Sequence, residues 1–114
     1  MTTTRMLERL VGFDTTSRNS NLALIGFIRD WLDRHGVPYQ VSGSGEKANL
    51  HAIIGPQVAG GIALSGHVDT VPVEGQAWSS DPFTLRAAGG LLYGRRSADM
   101  KGCVAACQAA VPGL

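Results

Sequence analysis

The sequence predicts an α/β domain in which a mixed sheet is flanked by helices. Three observations point there. Two helical patterns open the chain, three strand candidates follow, and helical sequence returns near the end, an order that layers helices on a sheet. The second helical pattern carries an apolar face wide enough to lie against a sheet. The run Ile62-Ala63-Leu64-Ser65 is continuously apolar or small, as in a strand covered on both faces.

In order along the chain, Met6, Leu7, Leu10 and Val11 fall at helical spacing, and Gly12 with Asp14-Thr15-Thr16-Ser17 ends that helix. Asn19 or Ser20 is expected as the N-cap of the second helix. In that helix Leu22, Ile25, Ile28 and Leu32 form one stripe, with Leu24, Phe27 and Trp31 beside it. Gly36 is the expected C-cap and Pro38 follows, so His35 reads as a last-turn residue favoured by the helix dipole. Val37, Tyr39 and Val41 alternate as in a half-buried strand that ends at Ser42-Gly43-Ser44-Gly45. Ala48 to Ile54 is the next strand, and its His51 reads as structural. After the buried strand, Val71 to Leu85 is a long irregular region in which Trp78 and Phe83 cover a site or pin the loop to the body. Leu85 to Tyr93 reads as a hairpin centred on Gly89-Gly90. Cys103 and Cys107 fall in a small, apolar helical pattern and read as core residues.

Chemistry concentrates where the buried run ends. His67 and Asp69 are two apart, so in extended backbone both project in one direction. A neutral imidazole can give one nitrogen to a divalent ion and its other N–H to a carboxylate, which fixes the tautomer. Asp99 adds a carboxylate at the start of helical sequence. The plainer alternative is a His67–Asp69 pair closing a strand and Asp99 capping a helix. Other catalytic signatures are missing, with no GxGxxG, no GxxxxGK[ST] and no GxSxG.

Bulk properties narrow the class. With 114 residues, 44% hydrophobic and 17% charged, the chain suits one small globular domain. A formal net charge of +1 and the lack of a dense Lys/Arg run argue against a nucleic-acid partner. No stretch approaches the roughly 20 apolar residues that cross a bilayer, and no signal-peptide h-region is visible, so no membrane partner is expected. Two cysteines four apart make a poor disulfide frame, which suits a reducing, cytoplasmic location. Val111-Pro112-Gly113-Leu114 serves equally as a helix stop that finishes a chain and as a passage into a longer enzyme.

Taken together, SGHVDTVP at Ser65 to Pro72, WSSDPF at Trp78 to Phe83 and LYGRRSADMKG at Leu92 to Gly102 resemble the amino-terminal part of a metallopeptidase and deacylase family. That family includes carboxypeptidase G2, dipeptidases, aminoacylase and succinyl-diaminopimelate desuccinylase. The resemblance covers nearly the whole chain and implies a partial zinc-peptidase-like catalytic domain, with residues 1–114 as its amino-terminal part. It implies His67 as a terminal metal ligand, Asp99 as the carboxylate bridging two ions, and Asp69 as the catalytic-site acid supporting His67. It also implies a cis peptide after Asp99, Lys101 and Gly102 serving helix start and packing, and two Zn2+ or Co2+ ions per complete site. The expected substrate is a small N-acyl amino acid, hydrolysed at its amide, and a homo-oligomer is the expected assembly. The family's general-base glutamate, remaining ligands and dimerisation domain correspond to sequence beyond Leu114, which leaves a catalytically silent or interaction module as the competing reading. One position departs from the pattern: glycine is usual where Arg96 stands. A left-handed backbone there would cost an arginine on the order of 1 kcal/mol.

Overall fold

The computed structural model describes residues 1–56 and 58–114. α1 (Thr3–Val11) begins where the Thr2 hydroxyl accepts the Arg5 N–H at 3.1 Å, satisfying one of the orphan donors of a first turn. Its expected apolar stripe of Met6, Leu7, Leu10 and Val11 is buried. α2 (Leu22–Arg34) buries Leu24, Ile25, Ile28, Trp31 and Leu32, while Leu22 at its first position is exposed. The cap position is Asn21 rather than Asn19 or Ser20. Ser20 still contributes, its hydroxyl accepting the Leu22 N–H at 3.1 Å. The Asn21 amide instead bonds both backbone groups of Ala48 at 2.9 Å, fastening the helix to the hairpin that follows. Gly36, at φ 66, takes the left-handed position that ends α2, and His35 packs edge-on against Trp31 with ring centroids 4.4 Å apart.

β1 (Tyr39–Ser44) and β2 (Lys47–Ala52) form an antiparallel hairpin in which Tyr39 faces Ala52 and Ser44 faces Lys47. His51 is exposed on β2. β3 (Arg86–Ala88) and β4 (Leu91–Tyr93) form a second antiparallel hairpin. Its turn places Gly89 and Gly90 at φ 59 and 78, the paired positive dihedrals that a two-residue hairpin favours. A distorted turn, Ser97–Lys101, then leads into α3 (Gly102–Ala110). The core joins α1 and α2 to Ala48, Ala105 and Val111.

Three further expectations change. The expected single mixed sheet is instead two separate antiparallel pairs, with one parallel bridge between Thr16 and Thr70. Ile62 to Ser65 is not a buried strand, since Ile62 is 92% and Leu64 75% exposed. The reason is geometric. Residues 63–69 and β2 both line a cleft of about 560 Å³, so the run meets no ladder partner among the described residues. The cysteines also depart from a core role: Cys103 is exposed and Cys107 half-buried, both as free thiols. The face of α3 turned to the core carries Ala105, leaving the cysteines on the cleft. Burial and the neighbouring Cys103 push the Cys107 thiol above its ordinary range. Among the described residues no helix is long and apolar enough to cross a membrane.

Candidate functional site

Both halves of the site are fastened to the end of α1. Thr15 donates its hydroxyl to the Val68 carbonyl, and the Thr70 N–H donates to the Thr15 carbonyl at 2.9 Å. The Ser17 N–H returns a bond to the Thr70 carbonyl at 2.8 Å. These contacts hold the extended run that carries His67 and Asp69. Gly66 lets this run approach α3, since a Cβ there would sit 2.9 Å from Val104 Cγ2 and 3.0 Å from Met100 Cε.

The other half is held by Lys101, which is fully buried. Its ammonium donates to the Leu10 carbonyl at 2.9 Å and, just past the helix, to the Phe13 carbonyl at 2.8 Å, so a cation sits at the C-terminal end of α1, where the helix dipole favours one. Burial pushes Lys101 down to about 8, with the charge of Asp14 opposing that shift. The Thr16 hydroxyl in turn holds Asp14 below the ordinary carboxylate range. Asp99 lies two residues before Lys101, and the Asp99–Met100 peptide is cis, as the resemblance implies. Gly102 is needed for close packing, because a Cβ there would collide with the Ser97 carbonyl.

The resulting arrangement is a line of polar groups. Ser17 donates its hydroxyl to Asp69 Oδ2 at 3.1 Å, and Asp69 Oδ1 lies 3.1 Å from His67 Nδ1. His67 Nε2 lies 3.3 Å from Asp99 Oδ1, and the Arg96 guanidinium donates through Nη1 to Asp99 Oδ2 at 3.1 Å. In the tautomer that donates Nδ1–H to Asp69, the Nε2 lone pair faces Asp99. A cation between those two acceptors would satisfy both. Two donors on one tetrahedral zinc ion lie about 3.4 Å apart at ordinary Zn–N and Zn–O lengths, and the His67–Asp99 spacing matches that span. Their donor types suit zinc or cobalt. Among the described residues no set of three or more His, Cys, Asp or Glu side chains is placed to hold a metal. The fit is therefore to one ion with two protein donors.

The sequence reading brought His67, Asp69 and Asp99 forward, and the structure places them side by side. It missed Ser17, whose link to Asp69 spans 52 residues and leaves no local signal. It noted Arg96 only as a misfit in a motif. The guanidinium of Arg95 has a different duty: it donates to the Val71 and Pro72 carbonyls at 3.1 to 3.3 Å and lies 5.7 Å from the Trp78 ring. Trp78 thereby helps pin the long loop to the body.

A paired His and Asp at metal spacing, the imidazole backed by a second Asp, is the donor chemistry of a metal-dependent hydrolase. Residues 63–114 match the model of peptidase family M20/M25/M40. The chain is 46% identical over 86 residues to an acetylornithine deacetylase of Shigella sonnei (strain Ss046), a match covering 73% of this chain and 22% of that protein. It is 42% identical over 92 residues to an acetylornithine deacetylase of Proteus mirabilis (strain HI4320), covering 78% of this chain and 24% of that protein. The chain is thus similar, over these residues, to M20-type peptidases and to acetylornithine deacetylases. The chain spans under a quarter of the length of these relatives.

Proposed function

We propose that this chain supplies part of the metal-binding machinery of an amide hydrolase that converts N2-acetyl-L-ornithine to L-ornithine and acetate. The observation that carries the reading is the line from Asp69 through His67 to Asp99, at 3.1 and 3.3 Å. The relatives' names supply the acetylornithine substrate. In this reading His67 Nε2 and Asp99 Oδ1 hold the ion, which is Zn2+ or Co2+. Asp69 positions the imidazole and sustains its basicity, while Ser17 satisfies the second Asp69 oxygen and limits its rotation.

A divalent ion bound there supplies Lewis-acid polarisation of the amide carbonyl and a more acidic water. The reaction breaks the amide C–N bond, delivers the water oxygen to the acyl carbon and leaves the amine protonated. The cleft beside His67 and Asp69, floored by Ile25, Ile28 and Val104, would admit an aliphatic chain. Free Cys103 and Cys107 support a reducing, cytoplasmic setting, and a homo-oligomer completes the proposal. Two donors make a thin shell, so these 114 residues are expected to turn over no substrate alone.

The test is a chimaera in which residues 1–114 replace the aligned part of the Shigella sonnei relative. Zinc- or cobalt-dependent release of ornithine, abolished by His67→Ala, is the expected result. Full activity in the metal-loaded His67→Ala chimaera would remove His67 from the assignment. Faster cleavage of a succinylated amine or a dipeptide would transfer the reading to a desuccinylase or dipeptidase.

A further inference from the structure

We propose that Arg96 is a resident cation of the site, so that the chain takes one divalent ion where its motif would otherwise take two. The inference rests on the metal-binding reading above and concerns what this chain has changed within it. A carboxylate that bridges two ions commits one oxygen to each. Asp99 Oδ1 faces His67 Nε2 at 3.3 Å, but Asp99 Oδ2 faces the Arg96 guanidinium at 3.1 Å. The direction in which a second ion would approach is thus held by a fixed positive charge.

Arg96 is placed there at a cost. Its backbone is left-handed, at φ 61 and ψ 23, a region that disfavours any residue with a Cβ. Its Nε is buried without a hydrogen-bond partner among the described residues. Its side chain is 24% exposed, against 71% for Asp99, so the guanidinium lies against the body and cannot simply swing into solvent. The Lys101 N–H donates to the Arg96 carbonyl at 2.9 Å, which ties the same residue to the buried anchor of this half. The compensating interaction is the charge-assisted bond to Asp99. An arginine cannot be titrated away at any ordinary pH, so this cation is permanent.

The consequence is a lower count and a lower affinity for added metal. Zinc chloride titrated into the 114-residue chain, followed by calorimetry and equilibrium dialysis, reads both. Arg96→Gly and Arg96→Asn each remove the charge with residues that accept the left-handed backbone, while Arg96→Lys keeps it. The comparison uses only the uptake that disappears in His67→Ala, which excludes zinc held by the cysteines. Wild type and Arg96→Lys are expected to take at most one such ion. The glycine and asparagine variants are expected to bind roughly tenfold more tightly or to gain a second ion, as removal of a unit charge about one side chain away from a divalent ion predicts. Two His67-dependent ions in the wild type, or the same titration in all four proteins, would overturn the role of Arg96 and leave the metal reading standing. No His67-dependent uptake in any of them would overturn both.

Discussion

Thr15 and Thr16, and the run from Ile62 to Leu64, both lead into the segment that carries His67 and Asp69, yet their burial is the reverse of their hydropathy. Thr15 and Thr16 are 2% and 1% exposed, while Ile62 and Leu64 are 92% and 75% exposed. The threonines are buried because partners satisfy them: Thr15 gives its hydroxyl to the Val68 carbonyl and accepts the Thr70 N–H, Thr16 gives its hydroxyl to Asp14, and Lys101 covers the Leu10 and Phe13 carbonyls just before them. Leu64 opens onto the cleft, and no strand among the described residues pairs with the run that holds Ile62 and Leu64. Apolar character creates a tendency to be buried. A partner of the right shape decides whether it happens.

The sharpest way to break this contrast is at Lys101. Lys101→Ala removes two charge-assisted bonds and leaves a cavity, and is expected to cost about 3 kcal/mol of folding stability in urea denaturation. A cost below about 1 kcal/mol would show that the anchor carries little. The same ammonium sets the next effect. Its folded value of about 8 lies below its ordinary 10.5, so between those values the unfolded chain binds more protons than the folded one. The burial cost is fully present below about pH 8, and stability rises as pH climbs from there towards 10.5. Lys101→Met should flatten that rise when denaturation midpoints are compared across the window. An unchanged slope would assign it to other groups.

Thr15→Val keeps the shape and deletes the hydroxyl bond to Val68. It is expected to cost about 1 to 2 kcal/mol and to loosen residues 68–70, which faster amide exchange at Thr70 would report. The smallest effect belongs to the open region, where Leu64→Ser is expected within about 0.5 kcal/mol of wild type. A loss above about 1.5 kcal/mol would mean that Leu64 is covered in solution, and the contrast would fail.

Much of this fold was legible in the residues. The stripe of α1 follows from its spacing, the end of α2 from Gly36, and the second hairpin from Gly89-Gly90, because each depends on neighbours a few residues apart. His67 and Asp69 were legible as a pair because extended backbone sets residues two apart on one side, even without a strand ladder. The anchors were not. Lys101 meets Leu10 across 91 residues and Thr15 meets Val68 across 53, and such distances leave no periodic trace. The run at Ile62 to Ser65 misled for the converse reason: its pattern reports what it could pack against, and no strand among the described residues pairs with it.

The central claim is that His67 is a ligand through Nε2, with Nδ1 protonated towards Asp69. Nitrogen-15 NMR of the imidazole during zinc titration tests it most directly. The account predicts that the neutral ring carries its proton on Nδ1 before zinc is added, that Nε2 takes the large shift on binding, and that Asp99→Asn weakens the response. A ring protonated on Nε2, or a zinc-induced shift centred on Nδ1, would contradict it.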